Sequence, residues 1–170
     1  MNIIYRNTVY SQHASKLLCS AEIFSTSLYK RLSISYPELY QIERNHLLPS
    51  WDFLMTIAGV GLAFIQISNS VPEHHRDKLC CAIEEKMHTA YKDFYSVLLD
   101  FVVNVRHMMD DKGADVCYAL GYWIINRLEL YNITSNSLIP IEFSKELSSA
   151  IGYSLLNTFK HWWLSNDAFY

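Results

Sequence analysis

The stretch Phe53–Ile67, FLMTIAGVGLAFIQI, contains no charged residue. On a helical wheel its large apolar residues fall on every side, and small residues such as Ala58, Gly59 and Gly61 are scattered between them. A helix that is apolar all round has to be covered all round, either by other helices or by lipid. The stretch therefore predicts a central hydrophobic helix over about residues 51–69.

The composition is typical of a well-packed globular chain, since 51% of the 170 residues are hydrophobic and 18% are charged. The length predicts a single domain, residues 1–170. Aromatic residues make up 14% of the chain, which is more than a minimal core needs. Because tyrosine and tryptophan are enriched at interfaces, we interpret the surplus as rings that face a groove or a partner.

The charge pattern excludes several classes of partner. The net charge is −3, and the 14 lysines and arginines are dispersed, whereas nucleic-acid binding needs clustered cations. No basic run adjoins an amphipathic segment, which disfavours an anionic membrane surface. The four cysteines form no Cys-x-x-Cys motif, and the N-terminus lacks a signal-peptide pattern. These features predict a soluble protein with reduced thiols in the cytoplasm.

Apolar residues that recur every three or four positions predict helices on both sides of the central one. No segment has the alternation of a strand. We therefore expect an all-α, single-domain bundle of about six helices. The first expected helix begins near residue 8 or 11 and ends near residue 33. The other five cover about residues 37–48, 51–69, 72–111, 114–131 and 140–164.

The helix predicted over 72–111 is the longest, and the pattern does not decide whether it is continuous or kinked. Between Val97 and Val105 its apolar face widens, so we expect deep burial there, including Leu98, Leu99, Val102 and Val103. Asp100 and Asn104 interrupt this apolar segment. They could meet water, fix the register of a helix pair, or orient His107 for acid–base chemistry.

Two Glu-x-x-His pairs form a pattern that suggests a metal site. They are Glu43–His46 and Glu85–His88, and Glu22 and Glu129 could complete the set used by di-metal carboxylate bundles. The two pairs are adjacent along the chain, however, whereas ferritin-like bundles alternate a lone glutamate with a pair. We therefore expect no cofactor, and a divalent metal is the minor alternative.

Two further features of the sequence concern ligands and membranes. Gly59 and Gly61 lie inside a helical segment and follow no strand, so they do not form a nucleotide loop; we expect them to let a neighbouring helix approach closely. The charge-free segment 53–71 has nearly the length of a membrane span, but it ends in polar residues and lacks flanking charge asymmetry. Burial inside the protein is the favoured interpretation.

The C-terminal segment is aromatic to its last residue. Because Trp162 and Trp163 are adjacent, only one of them can point into the same core. The other could bind a partner, since aromatic anchors dominate the binding energy at interfaces. The same residues could instead fold back onto the bundle. The candidate interaction residues are Trp162, Trp163, Phe169 and Tyr170.

Three functional hypotheses follow from these patterns. The first is a module that binds another protein or a second copy of itself, since aromatic residues are in surplus and no catalytic constellation is present. The second is a di-metal helical-bundle enzyme, and an enzyme is the less favoured class. The third is a carrier that holds a small apolar ligand inside the bundle.

Overall fold

The computed structural model describes residues 2–128, 141–160 and 162, and within them all regular structure is helical. The predicted all-α class is therefore confirmed. A single 3₁₀ turn, Pro37–Leu39, lies between the first two helices. The α-helices of the described part are α1 Asn2–Ser35, α2 Tyr40–Arg44, α3 Leu48–Ser70, α4 Glu73–Ala90, α5 Phe94–Asp110, α6 Val116–Arg127 and α7 Ile141–Phe159.

Helix α3 is the predicted central helix, and it packs against α1, α4, α5, α6 and α7. Every residue from Leu54 to Ala63 is buried. The helix begins at Leu48, so Pro49 lies in its first turn rather than ending the preceding helix. Proline is well tolerated there because the first backbone N–H groups of a helix have no partner inside it.

Within the described residues, α3 is also the one helix long and apolar enough to cross a membrane, with a mean hydropathy of 1.5. Most of that segment, 61%, is buried inside the bundle. The core helix of a globular protein has the same composition, because a helix surrounded by other helices needs an apolar surface on every side.

The short helix predicted over 37–48 is the 3₁₀ turn followed by α2, which ends at Arg44. His46 has a left-handed backbone with φ of 57°. Its N–H donates to the carbonyl of Glu43, and the N–H of Leu47 donates to the carbonyl of Ile42. This is a Schellman motif, which satisfies the last carbonyls of a helix and ends it.

The helix predicted over 72–111 is two helices, α4 and α5. Tyr91 adopts an extended conformation between them, with φ of −139° and ψ of 113°. Its ring packs on Phe53 of α3, with the ring centroids 4.9 Å apart. The break lets α4 pack along α1, whereas α5 packs on α3 and α6.

Helices α6 and α7 form the closest pair in the described part of the bundle. Asp115 caps α6, since its side chain accepts a hydrogen bond of 3.0 Å from the Tyr118 N–H. Gly121 and Gly152 lie at the contact between α6 and α7, where a side chain would meet the backbone of the other helix. The close helix approach expected at Gly59 and Gly61 therefore occurs elsewhere.

The two glycines of α3 are covered by aromatic rings instead. The ring of Phe159 lies over Gly59, and the ring of Phe101 lies over Gly61. Both rings are buried. The carrier hypothesis requires space for an apolar ligand inside the bundle. Beside Gly59 and Gly61 that space is filled by the rings of Phe159 and Phe101.

Candidate interaction surface on helix α5

Helix α5 exposes apolar residues that we expected to be buried. Leu99 is 65% exposed, Val102 48% and Val103 55%, and only Leu98 is half-buried. The prediction of deep burial was therefore wrong for these three residues. The segment is apolar around most of its circumference, but α3 and α6 cover only part of it. The covered side consists of Phe94, Val97, Phe101, Val105 and Met108.

The exposed apolar residues form a strip on one side of the helix, which we call the α5 outer face. Steps of four and three positions lead from Tyr95 to Leu99 and on to Val102 and Val103, and Met109 lies seven positions beyond Val102, past the exposed Arg106, so the strip extends along the helix for about 20 Å. A continuous apolar patch on a protein surface is typical of an interaction site, whereas isolated apolar residues are ordinary. The α5 outer face consists of Tyr95, Leu99, Val102, Val103 and Met109.

A polar contact with α6 fixes the rotation of α5. Oδ2 of Asp100 accepts a hydrogen bond of 2.8 Å from the Trp123 indole N–H and lies 3.2 Å from Nε of Arg127. Oδ1 accepts a hydrogen bond of 3.0 Å from Asn104. Because neighbouring residues of a helix point about 100° apart, tying Asp100 to α6 turns Leu99 towards solvent.

Asp100 belongs to a concave polar site of about 360 Å³ between α5 and α6. His107 also lines this site, but its Nδ1 contacts Asp111 at 2.5 Å, and both side chains are exposed. Asp100 therefore does not orient His107, and its oxygens are committed to three donors. The contact between α5 and α6 is made by Asp100, whereas the exposed Asn104, for which the sequence suggested a register role, donates only to Asp100 of its own helix. The sequence alone did not indicate that Trp123 and Arg127 would be the partners.

Charged side chains lie near both ends of the α5 outer face. Near its start, the Tyr95 hydroxyl donates a hydrogen bond of 2.8 Å to Glu84, and the Tyr95 ring packs on His88. The hydrogen bond to Glu84 raises the pKa of Tyr95. Near its end, Nε of Arg106 lies 3.2 Å from Asp110 in an exposed ion pair. Ion pairs of this kind are weak and exchange partners easily.

The residues proposed for a metal site are dispersed. Glu22 is exposed on α1, and His46 lies beyond the end of α2. Glu85 and His88 are exposed on α4. Burial, followed by the charge of Glu43, raises the pKa of Tyr29 to about 12, and the Tyr29 hydroxyl donates a hydrogen bond of 3.3 Å to the carbonyl of Leu39. Among the described residues, no three His, Cys, Asp or Glu side chains are grouped to hold a metal ion. Glu129 lies outside the described residues.

The aromatic C-terminal residues are placed only in part. Trp162 is buried in the core. Trp163, Phe169 and Tyr170 lie outside the described residues, and their role as interaction residues stays a prediction.

Comparison with known proteins finds no matching family model, no matching curated protein and no matching solved structure. The function is therefore argued from the geometry of the surface itself.

Proposed function

We propose that the protein is a helical interaction module that associates with a second copy of itself through the α5 outer face. The observation that carries this proposal is the exposure of Leu99, Val102 and Val103 on a helix whose other side is anchored to α6 by Asp100. Covering these side chains with apolar surface would remove them from water, which is favourable by about 25 cal/mol per Å² of apolar area.

The strip is self-complementary when two copies pack with their α5 helices antiparallel. In a two-fold arrangement each contact occurs twice, with the same two surfaces exchanged. Leu99 and Val102 would lie at the centre, facing the same residues of the second copy. Arg106 would approach Tyr95 and Glu84 of the second copy, so that the cation meets an anion and an aromatic ring at both ends.

The expected affinity follows from the size of the strip. A helix of 17 residues is about 25 Å long, and one helix pair buries less surface than a stable interface of about 1,600 Å². We therefore expect a weak dimer, with a dissociation constant in the micromolar range. The expectation of a cytoplasmic location remains a prediction of the sequence.

The test is sedimentation velocity across a concentration series that spans the micromolar range. The parent chain should shift from monomer to dimer, and Val103→Glu should remain monomeric because it places a charge in the centre of the strip. Ile34→Glu is the matched control, since Ile34 is an exposed apolar residue on α1. A parent that stays monomeric, or a Val103→Glu chain that dimerises equally well, would contradict the proposal.

The antiparallel geometry has a separate test in charge reversal. Arg106→Glu should weaken dimerisation by placing like charges opposite each other, and Glu84→Arg should do the same. The double variant restores opposite charges and should recover the affinity of the parent. Failure of the double variant to recover would exclude this orientation while leaving the α5 outer face as the contact surface.

The alternative hypotheses gain no specific support from the described residues. The proposed metal ligands are not grouped, and the space beside the α3 glycines is filled by Phe101 and Phe159.

A further inference from the structure

A second concave surface lies between α1 and α7, and none of its lining residues belongs to α5. It is a groove of about 530 Å³, within the range of about 300–1,000 Å³ typical of small-molecule sites. The α1 residues that line it span about 12 Å along the helix. The lining residues used below are Phe24, Leu28, Arg31, Leu32, Ala150 and Ser154.

The floor of the groove is apolar and fixed by packing. Leu28 and Leu32 are buried parts of the core. The Phe24 ring is half-buried and meets the buried Phe159 edge-on, with ring centroids 5.3 Å apart and planes at 84°. Edge-to-face packing holds an aromatic ring in one orientation. Ala150 adds a small side chain and keeps the floor open.

Among the described residues that line the groove, Arg31 alone is charged. Its Nη2 donates a hydrogen bond of 3.0 Å across the groove to Oγ of Ser154, a neutral acceptor. Among the described residues Arg31 forms no ion pair with a carboxylate. A guanidinium has five N–H donors in a fork that matches a carboxylate, so most of them remain for a ligand.

An apolar floor with one uncompensated cation at its edge is complementary to an amphiphilic anion. We propose that the groove binds a medium-chain alkyl carboxylate, with the carboxylate on Arg31 and the alkyl chain along Leu28, Leu32 and Phe24. The 12 Å length of the groove matches an extended medium-length alkyl chain rather than a long one. This site is independent of the proposed dimer.

The test is isothermal titration calorimetry of the full chain with decanoate and decyltrimethylammonium below their micelle concentrations and with decanol below its solubility limit. Decanoate should bind saturably with one site per chain and more tightly than the other two ligands. Arg31→Gln should weaken decanoate binding at least tenfold and leave decanol binding unchanged. Lys30→Gln is the matched control, since Lys30 is the neighbouring cation on α1 but does not line the groove.

A second variant locates the alkyl chain. Ser27 is exposed and lines the groove, so Ser27→Trp should fill it without disturbing the core and should abolish binding of both decanoate and decanol. Far-UV circular dichroism verifies that each variant folds. Binding that does not saturate, equal affinity for decanoate and decyltrimethylammonium, or undiminished decanoate binding by Arg31→Gln or Ser27→Trp would overturn the proposal.

Discussion

A Cβ atom added to Gly121 would lie 1.7 Å from the carbonyl oxygen of Ser148. The relationship is reciprocal, since a Cβ on Gly152 would lie 1.8 Å from the carbonyl oxygen of Cys117. Helices α6 and α7 are therefore in backbone contact at two points four residues apart on each helix. Only glycine leaves enough room for such an approach.

Gly121→Ala and Gly152→Ala should each destabilise the protein by about 3 kcal/mol or more, because backbone rather than a flexible side chain must move. Urea denaturation measures the effect. Gly61→Ala is the matched comparison, since the nearest atom there belongs to the Phe101 ring, at 2.6 Å, and a ring can shift. A loss below about 1 kcal/mol for Gly121→Ala would contradict the described α6–α7 contact.

Asp100→Ala should lower the free energy of unfolding by about 1–3 kcal/mol, because the indole N–H of the buried Trp123 loses its acceptor. Asp100→Asn should cost less, since the amide oxygen can still accept that hydrogen bond. Both are measured by chemical denaturation. Asp110→Ala, which removes only the exposed pair with Arg106, should cost less than about 0.5 kcal/mol. Equal losses for the Asp100 and Asp110 variants would show that Asp100 does not anchor α5.

Stability should fall as the pH drops below about 6.5, because His13 is buried. Burial lowers the pKa of His13 from its ordinary value of 6.5, and the nearby charge of Lys16 acts in the same direction. The unfolded chain therefore takes up a proton at a higher pH than the folded chain does. The stability contributed by neutral His13 is full above 6.5 and is lost as the pH falls through the lower folded value.

Melting temperatures measured between pH 8 and pH 5 test the role of His13. His13→Gln should flatten the pH dependence, whereas His46→Gln, at an exposed position, should leave it unchanged. A His13→Gln chain with the slope of the parent would assign the acid sensitivity to other groups.

Cys80 should resist alkylation although it is only half-buried. Burial, together with the charge of Glu84, raises the pKa of its thiol from about 9 to about 11. The thiolate is the reactive form, so little of Cys80 is reactive at pH 8. Iodoacetamide labelling followed by tandem mass spectrometry should modify the exposed Cys19 and Cys81 first. Labelling of Cys80 at the rate of Cys81 would contradict this expectation.

The sequence predicted those parts of the fold that rest on hydrophobic periodicity. The charge-free segment led directly to α3, whose residues from Leu54 to Ala63 are all buried. Periodicity could not place the break at Tyr91, because no glycine or proline precedes it and the repeat continues across it. At the break Tyr91 packs on Phe53, a residue distant in sequence.

Hydrophobic periodicity could not predict the exposed surface of α5 for a related reason. A window that is apolar on nearly every side indicates that the helix is covered, but it does not indicate by what. Leu99 and Val103 have the same chemistry as Val97, and which of them face the core depends on how α5 packs against α3 and α6, including the contact of Asp100 with Trp123. The groove beside Arg31 likewise requires two helices distant in the sequence to be placed together.

The central position of α3 in the bundle has a consequence for amide hydrogen exchange. The backbone N–H groups between Leu54 and Ala63 reach solvent only when the surrounding helices separate. Their exchange rates should therefore report the free energy of global opening, whereas amides at the end of α1 and in α2 should exchange through local fraying. Amide exchange at the centre of α3 thus measures the stability of the whole bundle under native conditions.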